Sequence, residues 1–76
     1  MEEFVKLKSE LSDIITEKHK IDNLINIILF KSKVSGEMKQ EEQDKLDDLN
    51  RKLDELDTKE KEIRERMEQL KNERNN

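Results

Sequence analysis

Lys33-Val34-Ser35-Gly36-Glu37-Met38 decides the fold, because it sets the chain's only glycine between two long stretches that share one repeat. Glycine enters the left-handed backbone region at little cost and so ends helices, which makes this segment a turn. Upstream of it, Phe4, Leu7, Leu11, Ile14, Ile21, Ile25 and Ile28 recur at steps of three and four, with Lys18 in the one missing place. Downstream, Leu46, Leu49, Leu53, Leu56, Ile63, Met67 and Leu70 do the same, with Glu60 in the gap. Alternating three- and four-residue steps are the a/d seam of a coiled coil. The spacing predicts one domain over residues 1–76: a helix over about 2–33, a turn over about 34–37 and a second helix over about 38–73.

The two seams fit each other better than they fit copies of themselves. Matching Phe4 with Leu70, Leu7 with Met67, Leu11 with Ile63, Ile21 with Leu53, Ile25 with Leu49 and Ile28 with Leu46 gives one index sum, 74, whose midpoint falls in the turn. On one flank Glu10 is expected to meet Arg66, and Glu17 to meet Lys59. A parallel pair of second helices would set Lys59 beside Arg64 and Arg66 beside Lys71, which repel. The fold class is therefore all-α, an antiparallel two-helix coiled-coil hairpin. Lys18 and Glu60 fall in neighbouring layers and read as a polar register pin.

Composition limits the chemistry. Charged residues make up 47% of the chain and apolar ones 30%, a balance that without the repeat would indicate disorder. There is no cysteine, so neither a disulfide, a thiolate nucleophile nor a cysteine-based zinc site is expected. His19 is the only histidine and falls on an outer position. No phosphate-binding glycine loop, nucleophile motif or calcium-loop spacing occurs, so catalytic residues, metal ligands and cofactors are all expected to be absent. The longest apolar stretch, Leu24 to Phe30, is interrupted by Asn26 and too short to cross a bilayer. Met1-Glu2-Glu3 lacks the basic start of a secretory signal, so a reducing, cytoplasmic setting is the expectation. A net charge of −4 argues against direct nucleic-acid binding.

Two surfaces remain as candidate partner sites. Residues 1–34 hold 15 of the 23 apolar residues. Beyond its seam the first helix carries Leu24, Ile27, Phe30 and Val34 toward its far side, with Ile15 and Leu29 on the other flank. A lone hairpin leaves such a stripe in water, and contiguous apolar surface marks an interface. Three readings stand: a homodimer interface through Leu24, Ile27, Phe30 and Val34, a groove for a foreign partner, or a fold of Phe30 and Val34 under the turn with Met38. The second surface is acidic. Residues 37–57 carry nine acids and four bases, while residues 1–36 balance at six each. Glu41, Asp44, Asp47, Asp48, Asp54 and Glu55 fall on the outer positions of the second helix, and Glu62 continues the row. Such a row either solvates the hairpin or presents fixed negative charge as DNA does, to the phosphate-binding residues of a basic protein.

Leu49-Asn50-Arg51-Lys52-Leu53-Asp54 resembles the Ser-Gln-Glu-Leu-Asp stretch of small hairpin phosphatases that act on a sporulation regulator, with Leu53-Asp54 matching and Asn50, Arg51 and Lys52 departing. That departure removes most of the motif and with it the grounds for catalysis. The wider pattern has an Ile/Leu-rich first helix closing in Leu29-Phe30, then a short turn, then Glu41-Glu42-Gln43 leading to Leu46 and Leu49. It is similar to small acidic phage-encoded helical hairpins that take over host functions, a class that includes a DNA-mimic inhibitor of the bacterial histone-like protein HU. The resemblance implies a non-enzymatic inhibitor acting in a bacterial host, with a basic DNA-binding protein such as HU as partner. The alternatives are an adaptor coiled coil working through the apolar tip of the first helix, and the phosphatase.

Overall fold

The computed structural model describes residues 2–74, which form two helices, α1 (Glu2–Ser35) and α2 (Gln40–Arg74). They fold back on each other as a hairpin with extents of 58 × 15 × 14 Å. Glu2 and Glu3 open α1 and Lys33 closes it, each sign where the helix dipole favours it. Glu41 and Glu42 do the same for the start of α2.

α1 ends at Gly36, whose φ of 77° is the left-handed conformation expected of it. Its amide donates to the Ser32 carbonyl at 2.9 Å, closing the helix with a single backbone bond. The Ser35 hydroxyl has its one proton within reach of the Glu37 carbonyl at 2.9 Å and the Ser32 carbonyl at 3.2 Å. These contacts hold α1 two residues past its expected end. α2 starts at Gln40, two residues later than expected. Its first turn is closed by the Gln43 amide donating to the Lys39 carbonyl at 3.0 Å, so Glu37, Met38 and Lys39 lie outside the helix. Met38 is half-buried beneath the turn, whereas Phe30 and Val34 are exposed and do not join it.

Every seam residue from Phe4 to Ile28 on α1, and from Leu46 to Leu70 on α2, is buried or half-buried, Lys18 and Glu60 included. Their neighbours in sequence are mostly exposed, so the three-four repeat is also the burial pattern. Among the described residues only Ile21, 4% exposed, and Leu46, 7% exposed, are buried. Two helices meet along one line, so each seam side chain keeps an open flank. Extending the repeat one step toward the turn brings in Ser32 and Glu42, both half-buried, with the same index sum of 74. Glu42 thus occupies a seam position, and its buried Oε2 has no hydrogen-bond partner among the described residues.

Candidate functional site

The register pin is a cluster of four residues, Lys18, Asp57, Glu60 and Arg64. Lys18 Nζ lies 3.2 Å from Glu60 Oε2 and 2.5 Å from Asp57 Oδ1. Arg64 reaches the other Glu60 oxygen at 3.4 Å. The bond to Asp57, then that to Glu60, raises the Lys18 pKa above the ordinary lysine range. The Lys18 bond in turn lowers the Glu60 carboxyl below its ordinary range. Lys18 and Glu60 each favour the charged form of the other, an arrangement suited to fixing register rather than to moving protons. Asp57 flanks the seam, which is why the repeat alone does not reveal it.

The flank pairs differ from expectation. Arg66 grips Glu3 rather than Glu10, with Nε–Oε1 at 2.8 Å and Nη2–Oε2 at 3.2 Å. This fork lowers the Glu3 pKa and raises that of Arg66. Glu17 and Lys59 form no ion pair among the described residues; instead Lys59 shares a surface groove with Glu10 and Ile63. Arg66–Glu3 and Lys59–Glu10 are both shifted one heptad toward the open end. Exposed ion pairs are worth tenths of a kcal/mol, so long side chains settle by reach as readily as by register.

The acidic row, Glu41, Asp44, Asp47, Asp48, Asp54, Glu55 and Glu62, is exposed along its whole length, with Asp48 and Glu62 at the edges of the grooves between the helices. Four of the seven, Glu41, Asp54, Glu55 and Glu62, make no side-chain hydrogen bond or ion pair among the described residues. Asp44 and Asp47 accept from the neutral amides of Gln40 and Gln43, at 2.9 and 3.0 Å, and so keep their charge unopposed. Asp48 alone is compensated, by Arg51 and Lys52 of its own helix. At a rise of about 1.5 Å per residue the row averages one acid per roughly 5 Å, against one phosphate per about 3.4 Å along a DNA strand. Its charge is fixed on a rigid helix and sparser than that of duplex DNA.

The apolar stripe is also exposed. Leu24 and Ile27 are half open to solvent, Phe30 is 67% exposed and Val34 72%. Leu24, Ile27, Ile28 and Leu49 floor an open groove of about 330 Å³ between the helices, with Lys31 and Lys45 on its rim. The two lysines have an index sum of 76, the value at which flank positions face each other, and neither is ion-paired among the described residues. This like-charged pair was legible in the same index arithmetic that matched the seams.

His19 is exposed. Among the described residues no group of three or more His, Cys, Asp or Glu side chains is placed to hold a metal ion, and no helix is long and apolar enough to cross a membrane. No family model matches the chain, and no curated protein or solved structure is significantly similar to it.

Proposed function

We propose that this chain is a non-enzymatic binding protein whose acidic row takes the place of DNA on a basic bacterial DNA-binding protein, HU being the type of target. The observation that carries the reading is the row itself: seven exposed acids on the outer side of one helix, most of them unneutralised, concentrated where the sequence carries a net −5 over residues 37–57. Ordinary solvation is met by interspersed charges of both signs, as the rest of this chain shows. A phage inhibitor of this kind would act in the bacterial cytoplasm, as a homodimer through Leu24, Ile27, Phe30 and Val34.

Binding of the protein to purified HU, measured over a salt series, tests the proposal. Affinity should fall steeply as salt rises, because the attraction is between exposed charges. Reversing Asp47, Asp54 and Glu62 to Lys should abolish binding with helicity unchanged, since all three are exposed and off the seam. A triple variant that still binds would defeat the reading.

A second reading is favoured by the exposure of Phe30 and Val34. In it the hairpin is an adaptor that holds its partner through the apolar tip of α1, and its complex would be insensitive to salt.

A further inference from the structure

The stripe on α1 has a property that its exposure alone does not convey. Along the groove-side edge of the stripe, Leu24, Ile27, Lys31 and Val34 are spaced three, four, three, so that edge reads the same in both directions, with Phe30 lying off it. An antiparallel copy can set Leu24 against Val34 of the partner subunit and Ile27 against Lys31 of the partner subunit, all with an index sum of 58. The lysine stem then covers the isoleucine while its ammonium stays in water.

The same face of the hairpin continues onto α2 as Glu41, Lys45, Asp48 and Lys52, all exposed and alternating in sign. Flank positions of α1 and α2 face each other at an index sum of 76, so a two-fold axis crossing α1 at position 29 crosses α2 at position 47. Around that axis Lys45 meets Asp48 of the partner subunit, and Glu41 meets Lys52 of the partner subunit. Both pairs sum to 93, within one residue of the 94 that the axis requires. The apolar spacing on α1 and the charge order on α2 are separate features of the sequence, and they specify one register.

We infer that a second copy of this chain covers the stripe, packed antiparallel about a two-fold axis between Ile27 and Lys31 of α1 and between Lys45 and Asp48 of α2. This rests on the homodimer reading above and gives it a geometry. The rod, 58 Å long and 15 × 14 Å across, exposes 6206 Å². A standard interface removes about 800 Å² from each partner. The pairing also gives Lys45, which faces Lys31 within its own hairpin, an acid across the interface. A two-fold axis along the rods would instead lay Leu24, Ile27 and Val34 on the charged row of the partner's α2.

Because the axis lies near the turn, only the turn-proximal halves overlap, and the dimer is a staggered rod about 80 Å long. Two hairpins overlapped along their full length would stay near the 58 Å of one.

Two single variants, Lys45→Glu and Asp48→Lys, test the register. Each alone sets like charges together twice across the axis and should weaken the homodimer about tenfold. Mixed, the two chains restore both pairs, so the heterodimer should recover wild-type affinity in sedimentation velocity, and X-ray scattering should give the wild-type dimer a length near 80 Å. Singles that dimerise as wild type, or a mixture that gains nothing, overturn the register. A dimer about 60 Å long overturns it too and leaves the homodimer reading intact, whereas a wild-type monomer at all concentrations removes both.

Discussion

The two ends of this rod are built from the same repeat yet do different things with it. Among the described residues the ion pairs between the helices all lie at the open end and middle: Arg66 holds Glu3, and Lys18 holds Asp57 and Glu60. Toward the turn no ion pair joins the helices among the described residues. There Lys31 faces Lys45, Glu42 sits in the seam with a bare carboxylate oxygen, and α1 turns Leu24, Ile27, Phe30 and Val34 to water. One half is complementary to itself and the other is not. The proposed second copy would supply the complementarity that this half lacks within the chain. Six of the seven acids of the row lie on the turn-proximal half, and two of them, Glu41 and Asp48, fall at the edge of the proposed interface.

The comparison can be broken by mutation. Ile21, near the middle of the rod, and Leu46, toward the turn, are the two buried side chains among the described residues, and Ile21→Ala should have the largest effect. A cost of about 2–5 kcal/mol is expected from chemical denaturation, enough to unfold a domain this small. Leu24→Ala should cost far less under dilute conditions, because its side chain is half open to solvent. Equal losses at the two sites would mean that the stripe is as buried as the seam, and the contrast between the halves would fall.

The seam, the turn and the antiparallel pairing were legible in sequence because a coiled coil repeats its instruction many times, so Phe4 to Ile28 and Leu46 to Leu70 check one another. Helix ends were less so. Ser35 extends α1 with a hydroxyl in reach of two carbonyls, and α2 waits until Gln40, both local events with no periodic signature. The ion pairs were the least legible. Lys18 was expected near Glu60 but its contact with Asp57 was not, and Arg66 chose Glu3 over Glu10. Contacts among flexible exposed side chains carry little energy, so the sequence constrains them little. The acidic row was legible as a pattern, and the structure adds which of its charges are neutralised.

Glu42 gives the next largest expected effect, and of opposite sign. Glu42→Leu completes the seam at the turn and removes a buried oxygen without a partner, so the variant should be more stable by about 1 kcal/mol in a urea titration. No gain would mean that the turn-proximal seam is looser than the exposure of its residues indicates.

Acidification should act on the other half. The Glu60 and Glu3 carboxyls sit below their ordinary pKa, so their stabilising contribution is complete above the ordinary carboxylate range and is lost as pH falls through the lowered values. Lys18, raised, contributes at neutral pH and loses its contribution only above the ordinary lysine range. Thermal midpoints should therefore be flat around neutrality and fall in acid. Exchanging Lys18 for Met should remove part of the acid sensitivity while leaving the protein folded, though less strictly in register. An unchanged acid profile in that variant would assign the sensitivity to other carboxylates.

The central claim is that the acidic row binds where DNA binds, and competition tests it most directly. A labelled sample of this protein bound to HU is titrated with duplex DNA while its fluorescence anisotropy is followed. Displacement to the free value, at DNA concentrations set by the affinity of HU for that duplex, is the predicted result. A complex that persists in saturating DNA would contradict the account.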